Sequence, residues 1–304
     1  MNSNYLKWIF LFSLALLWGS SFILIKKGLD GFSPLQLTAL RVLITGIFLV
    51  IIGFKKVKQI KKSQWKWIII SGFIGTMFPT LLFSYAETEI DSTIASILNS
   101  TVPLLALITG VLFFSKQFFK KQFTGVIVGL AGSVLLILAG ASLNPNQNYW
   151  FGVLPVIASL MYAFNANILK TYLDDISALG IATGSFLVLI PPAFAILIFT
   201  DFFDVEFLAQ ETVQTSLGYI VLLALFGTAL AKILFNRLIQ LSDPVFSTSV
   251  TYLIPIVALF WGFLDGEKFN LYQLAAGVVI LFGVYISNRK KKQKKEDKAK
   301  PVEA

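Results

Sequence analysis

Lys232 stands inside Ser216 to Leu238, a stretch that is otherwise apolar and long enough to cross a bilayer. An ammonium at that depth is costly, so its presence points to a task. Thr228 and Asn236 flank it at four residues to either side, a spacing that sets all three on one face of a helix. Two chemistries suit such a lysine. It can pair with an anionic group of a bound solute, or, buried without a partner, it can bind and release a proton. A third course is to snorkel toward the nearer interface, where Arg237 on the same stretch already supplies an anchor.

Catalysis finds little to work with. The chain has no histidine and no cysteine, and its 16 acids all fall in loops, span ends or the tail. An imidazole base, a thiol nucleophile, a paired-carboxylate site and a metal cluster are therefore missing, and with them the means of most intramembrane hydrolases. A serine with Lys232 as a dyad is conceivable, but nothing else in the chain asks for one. The expectation is a protein that is not an enzyme and needs neither metal nor cofactor. A scaffold or ion channel is disfavoured too, because the polar residues are dispersed over several helices, without a ring of charge or a repeated filter loop.

The elements that must position Lys232 follow from composition. The 304 residues are 56% hydrophobic and 13% charged, with a mean hydropathy of +0.78, which is the balance of an integral membrane protein. At about 20 apolar residues per crossing, ten stretches qualify: Trp8 to Ile25, Pro34 to Phe54, Trp65 to Ala86, Ser92 to Phe114, Gln122 to Ala141, Trp150 to Leu169, Ala178 to Phe199, Ser216 to Leu238, Pro244 to Leu264 and Leu271 to Ser287. The first follows Lys7 as a secretory signal would, but it is too long and no small-x-small site comes after it. Between the spans lie short connections, a basic one around Lys55 to Lys62 and an acidic one from Asp201 to Glu211. The charged tail, Arg289 to Ala304, reads as disordered.

Charge sets the orientation. With the amino terminus in the cytoplasm, the inner side holds Lys7, the lysines from Lys55 to Lys66, Lys116, Lys120, Lys121, Lys170, Arg237 and the basic tail. The outer side holds Lys26, Lys27 and Lys268. That is the positive-inside pattern, with both termini cytoplasmic. The net charge of +9 is therefore topology and attraction to anionic lipid, not a nucleic-acid footprint.

The chain also aligns with itself at an offset of about 150 residues. Gly75 and Thr76 match Gly227 and Thr228, Phe83 matches Phe235, Asp91 matches Asp243, Pro103 matches Pro255 and Gly110 matches Gly262. In the first span of each half, Trp18 falls on Tyr162, Ser21 on Asn165 and Lys26 on Lys170. Five spans per unit is an odd number, so the second unit enters the membrane from the opposite face. The predicted fold is an all-α integral membrane protein of ten transmembrane helices, arranged as two inverted-topology five-helix repeats, residues 1–142 and 143–288, with a basic tail at 289–304. Such repeats underlie alternating access, with the solute held near the midplane where the halves meet.

Helical spacing selects the residues around that solute. The stripe of Thr228, Lys232 and Asn236 has its repeat twin in Thr76, Thr80 and Ser84. Polar stripes avoid lipid, so both face protein or water. Asn99, with Ser96 and Ser100, comes from the fourth span, and Tyr162, Asn165 and Asn167 from the sixth; the first offers Trp18, Ser20 and Ser21. In the ninth, Ser247 and Thr251 share one face and Thr248 and Tyr252 its neighbour. The candidate binding set is Lys232, Asn165, Thr228, Asn236, Thr80, Trp18, Ser21, Tyr162, Asn99, Thr251 and Tyr252. Membrane serines and threonines more often serve helix packing. Pro79, Pro103 and Pro255 free backbone carbonyls inside spans, as hinges or static bends. Arg41, the second charge within a span, reads as a structural arginine satisfied by carbonyls or a span-end acid.

The run from Leu16 to Phe22 (Leu-Leu-Trp-Gly-Ser-Ser-Phe), Arg41, the paired elements Pro103 to Gly110 and Pro255 to Gly262, and Gly227-Thr228-Ala229 resemble the EamA family of the drug/metabolite transporter superfamily. The resemblance covers nearly the whole chain as two tandem domains. It implies a ten-helix carrier of the inner (plasma) membrane with a central cavity, and an exporter of amino acids or related polar or amphipathic metabolites. Lys232 departs from the aromatic or apolar residue the family often has there. That departure keeps a relative's substrate from being transferred to this chain; the alternative reading is uptake or exchange of an anionic, carboxylate-type solute paired with Lys232. The expected partners are a small-molecule substrate, the lipid bilayer and, if transport is proton-linked, protons carried by Lys232.

Overall fold

Helix starts are written locally. Ser33 accepts a hydrogen bond from the backbone of Gln36, whose side chain reaches back to the Ser33 amide, and Pro34 supplies the first helical residue. Ser177 caps the backbone of Gly180 and Asp243 that of Phe246, the latter again ahead of a proline. At the other end of a helix, Ser115 takes a left-handed φ of 52° and stops the segment before it.

The computed structural model describes residues 3–117, 120–141, 148–265 and 271–287; the tail and Lys268 lie outside them. Among the described residues every regular element is helical. Eight helices are long and apolar enough to cross a membrane: α1 (Ser3–Leu29), α2 (Pro34–Val57), α3 (Lys62–Ala86), α4 (Ser92–Phe114), α6 (Trp150–Tyr172), α7 (Ala178–Ile198), α8 (Glu211–Leu241) and α9 (Pro244–Leu264). Two further helices, α5 (Lys120–Ala141) and α10 (Leu271–Ser287), pack along each other. Most run a turn past the apolar stretches that announce them, and α2 carries through Lys55 and Lys56 of the basic connection. The acidic connection is itself partly helical at Val205–Leu208.

Four interior helices are not plain α. A π segment interrupts α3 at Phe73–Met77 and α8 at Leu223–Leu230, and a 3-10 segment interrupts α4 at Asn99–Thr101 and α9 at Ser249–Tyr252. The interruptions fall at matching places in the two sequence repeats. In α4 and α9 the proline is second in the α segment that follows, where its missing N–H and its ring prevent a continuous ladder.

Packing between the repeats is reciprocal. The first helix of the first repeat, α1, packs on α8 and α9 of the second, and its counterpart α6 packs on α3 and α4 of the first. In the same way α2 meets the π segment of α8 while α7 meets α3; α2 also lies along α7, and α4 on α9. Large apolar side chains such as Ile51, Leu112, Phe113 and Phe199 point outward, and the interior combines apolar side chains such as Leu11, Leu49 and Phe186 with polar ones, including Thr45, Ser84, Ser100, Ser159 and Thr183. An apolar exterior with polar groups kept inside is what a bundle in lipid requires.

Candidate functional site

Where α1, α3, α4, α6, α8 and α9 converge, with Arg41 reaching in from α2, they enclose a cavity of about 90 Å³. One water needs roughly 10–15 Å³ on this measure, so there is room for several waters or a small solute. Its aromatic walls are two pairs that the repeat exchanges. Trp18 of α1 lies 5.1 Å from Phe235 of α8, and Tyr162 of α6 lies 6.3 Å from Phe83 of α3. Phe22 adds an edge contact to Phe83 at 5.8 Å.

The same exchange governs two close helix approaches. A Cβ at Gly75 would run into the Asn165 amide, and one at Gly227 into the Ser21 hydroxyl. Only glycine leaves the space these side chains use. Asn165 accepts from Ser71 Oγ at 2.6 Å and so stays seated over Gly75, while Ser21 donates to its own helix at Leu17.

Lys232 lines the cavity, and its ammonium donates to the carbonyl oxygen of Gly75. Local sequence explains the acceptor. Pro79 has no N–H to offer the carbonyl four residues back, which is that of Gly75. A second freed carbonyl, that of Thr251 ahead of Pro255, accepts from Ser100 Oγ at 2.9 Å. Arg41 also lines the cavity and is 7% exposed; its Nε donates to Thr228 Oγ1 at 2.6 Å. Carbonyls and span-end acids are thus not the hydrogen-bond partners of Arg41, contrary to the expectation from sequence. Both cations link the repeats, Arg41 from the first to the second and Lys232 from the second to the first.

The other sequence candidates divide. Thr228, Thr80, Asn165 and Asn99 line the cavity, as do Trp18, Ser21, Tyr162 and Thr251. Asn236 and Tyr252 lie outside its lining. Four residues advance an α-helix by about 40° more than a full turn and by about 6 Å, so Asn236 leaves the face of Lys232 and donates to the Ala178 carbonyl at 3.3 Å instead. Tyr252 is lost to the 3-10 segment, in which i and i+3 share a face. Thr248 and Thr251 therefore point into the cavity together, while Tyr252 packs against Gly129 with its hydroxyl 3.5 Å from the Val126 carbonyl. Asn99 and Val102 repeat the i, i+3 pattern in α4. Sequence reasoning read Arg41 as structural, named Thr76 and Thr248 around the solute without carrying them into the binding set, and missed the aromatic trio Phe22, Phe83 and Phe235. The matched pair Phe83 and Phe235 was the available signal.

Ion pairs tie the repeats together at the two ends of the bundle. Lys27 and Lys26 at the end of α1 meet Asp265 just past α9, at 2.7 and 2.9 Å, and their hydrogen bonds hold its carboxyl below the usual carboxylate range. At the opposite end Lys61 meets Asp175 at 3.1 Å, with Gln64 Nε2 donating at 2.7 Å, and this carboxyl is lowered in the same way. Among the described residues no cluster of ligands could hold a metal ion.

The arrangement is therefore a small cavity between two repeats, carrying two cations and, among the described residues, no lining carboxylate. A profile of the EamA-like transporter family matches residues 6–138 and again 150–289. The uncharacterized inner membrane transporter YedA of Escherichia coli K12 is 29% identical over 282 residues, 91% of this chain and 88% of that protein. A probable terminal-alkyne amino-acid exporter of Streptantibioticus cattleyicolor is 22% identical over 93% of this chain and 94% of its own length. A solved crystal structure superposes with a TM-score of 0.72 over 92% of this chain and 95% of the other at 17% identity, which is likeness of fold. With the family profile matched twice along its length, the chain belongs to the EamA-like transporter family and is a transporter rather than an enzyme.

Proposed function

We propose that this protein is a secondary transporter that exports a small metabolite, an amino acid or a related polar or amphipathic solute, by alternating access around the central cavity. One observation carries the reading: the cavity wall is made of repeat-related positions, Trp18 with Tyr162, Ser21 with Asn165 and Phe83 with Phe235, contributed by both halves. A site shared in this way can be opened to either face when one half rocks against the other. The reciprocal packing supports two inverted five-helix halves, residues 1–142 and 143–288, and hence ten transmembrane helices, and the distribution of lysines supports cytoplasmic termini. The probable exporter of S. cattleyicolor, similar over 94% of its own length, supports an amino-acid-like substrate and the outward direction.

A second reading, uptake or exchange of an anionic solute paired with Lys232, is favoured by the two cavity cations and by the lack of a carboxylate among the described lining residues. Purified protein would be screened by thermal stabilisation against amino acids, carboxylates and cationic compounds, and each hit tested for counterflow in liposomes. Saturable counterflow of an amino acid supports the first reading, and counterflow confined to carboxylates lacking an amine supports the second. Stabilising compounds that never cross the bilayer would refute both.

A further inference from the structure

We infer that the anchor for the solute is the guanidinium of Arg41, and that it takes the carboxylate of a small organic acid whose apolar body sits between the two aromatic pairs. The inference rests on the transporter reading and names the substrate class of the same cavity. Of the two cavity cations, Lys232 already has an acceptor in the Gly75 carbonyl. Arg41 uses only Nε, on Thr228 Oγ1. Its two Nη groups have no acceptor among the described residues, and they are not among the buried polar atoms sealed off without one, so they border open space in the cavity that Arg41 lines. Glu87, at the end of α3, acts on Arg41 through space and accepts from Ser92 Oγ at 2.6 Å.

A planar fork of N–H donors, fixed at its base and open at its edge, matches the two oxygens of a carboxylate. The Thr228 hydroxyl fixes that base, being held in turn by the Leu223 carbonyl at 3.0 Å. Around the fork, Trp18, Phe235, Phe83 and Tyr162 offer flat apolar surface. Among the described residues no lining carboxylate is present to neutralise an amine, and Lys232 repels one. The preferred solute is thus anionic at one end and apolar at the other.

The test uses three compounds of one shape, 4-methylpentanoate, 4-methylpentanamide and 4-methylpentylamine, together with leucine. Each is titrated into purified protein in detergent while thermal unfolding is followed, then tested for counterflow in liposomes. Stabilisation by 4-methylpentanoate, and at least tenfold weaker stabilisation by its amide and amine, is the expected result. Arg41→Lys should weaken the carboxylate about tenfold and Arg41→Gln should abolish its effect, while Asn236→Ala, outside the cavity lining, leaves the preference for carboxylate over amide in place. Equal stabilisation by amide or amine, leucine acting where 4-methylpentanoate does not, or an Arg41→Gln variant of unchanged affinity would each overturn the inference. Should the arginine variants fail to fold, the compound series on the unaltered protein decides alone. Counterflow of the amine without carboxylate binding refutes the fork but leaves the transporter; carboxylate binding without counterflow does the reverse.

Discussion

Replacing Lys232 by methionine should cost the protein its transport while leaving it as stable as before, or more so. An ammonium near the middle of a membrane helix carries a penalty of about 2.5–3.5 kcal/mol. Against that stands one hydrogen bond from a charged donor to the Gly75 carbonyl, an interaction of about 1.5–3 kcal/mol. The balance lies between roughly zero and 2 kcal/mol in favour of methionine. Pro79 provides an internal check, because Pro79→Ala returns an N–H to the position that Gly75 lacks. In the methionine background that change should stabilise by about 1 kcal/mol. With Lys232 present the carbonyl is already engaged, so the gain should shrink and the pair should show coupling of about 0.5–1 kcal/mol. Thermal unfolding of the four proteins in detergent measures the cycle, and counterflow of a stabilising solute in liposomes measures function, which should fall at least tenfold, about 1.4 kcal/mol. A Lys232→Met protein that is clearly less stable yet transports at the original rate would make the lysine a structural strut and refute this account.

Three further outcomes are expected. Gly75→Ala gains helix propensity but drives its Cβ into the Asn165 amide, which must give up its bond to Ser71; the loss should be about 1–3 kcal/mol in thermal unfolding, recovered in part by adding Asn165→Ala. Asp265→Asn removes the acceptor of Lys27 and Lys26. Because those hydrogen bonds lower the folded carboxyl, its stabilisation is complete above about pH 5 and is lost as pH falls through the lowered value. The wild type should therefore lose stability relative to Asp265→Asn as pH falls from about 5 through the usual carboxylate range and on through the lowered value, by no more than about 1 kcal/mol for so exposed a cluster, and the gap should narrow in high salt. Asn236→Ala and Tyr252→Phe, both outside the cavity lining, should leave the order of solute preferences unchanged in the stabilisation screen; a changed order would return those residues to the site.

Helices and their apolar character were legible because they follow from local composition and caps. The repeat was legible because matched glycines and prolines survive wherever backbone geometry depends on them, as Gly75 and Gly227 do. The polar stripe around Lys232 was legible from Thr228 to Lys232, both of which line the cavity. It failed at Tyr252, where a 3-10 turn changes which residues share a face, and at Asn236, where drift along the helix carries the side chain to another neighbour.

By itself, then, the sequence determined the class, the internal repeat and the presence of a charge too costly to be idle, since each depends on residue types and spacings along one chain. Which groups meet was decided only by the tertiary structure. That Lys232 finds the carbonyl left bare by Pro79, 157 positions away in sequence, depends on how α3 and α8 pack. So does the turning of the Arg41 fork toward a cavity. A helical pattern reports the direction of a side chain about its own axis, whereas a binding site is a meeting of several axes, and only packing between the halves sets their relative rotation and depth.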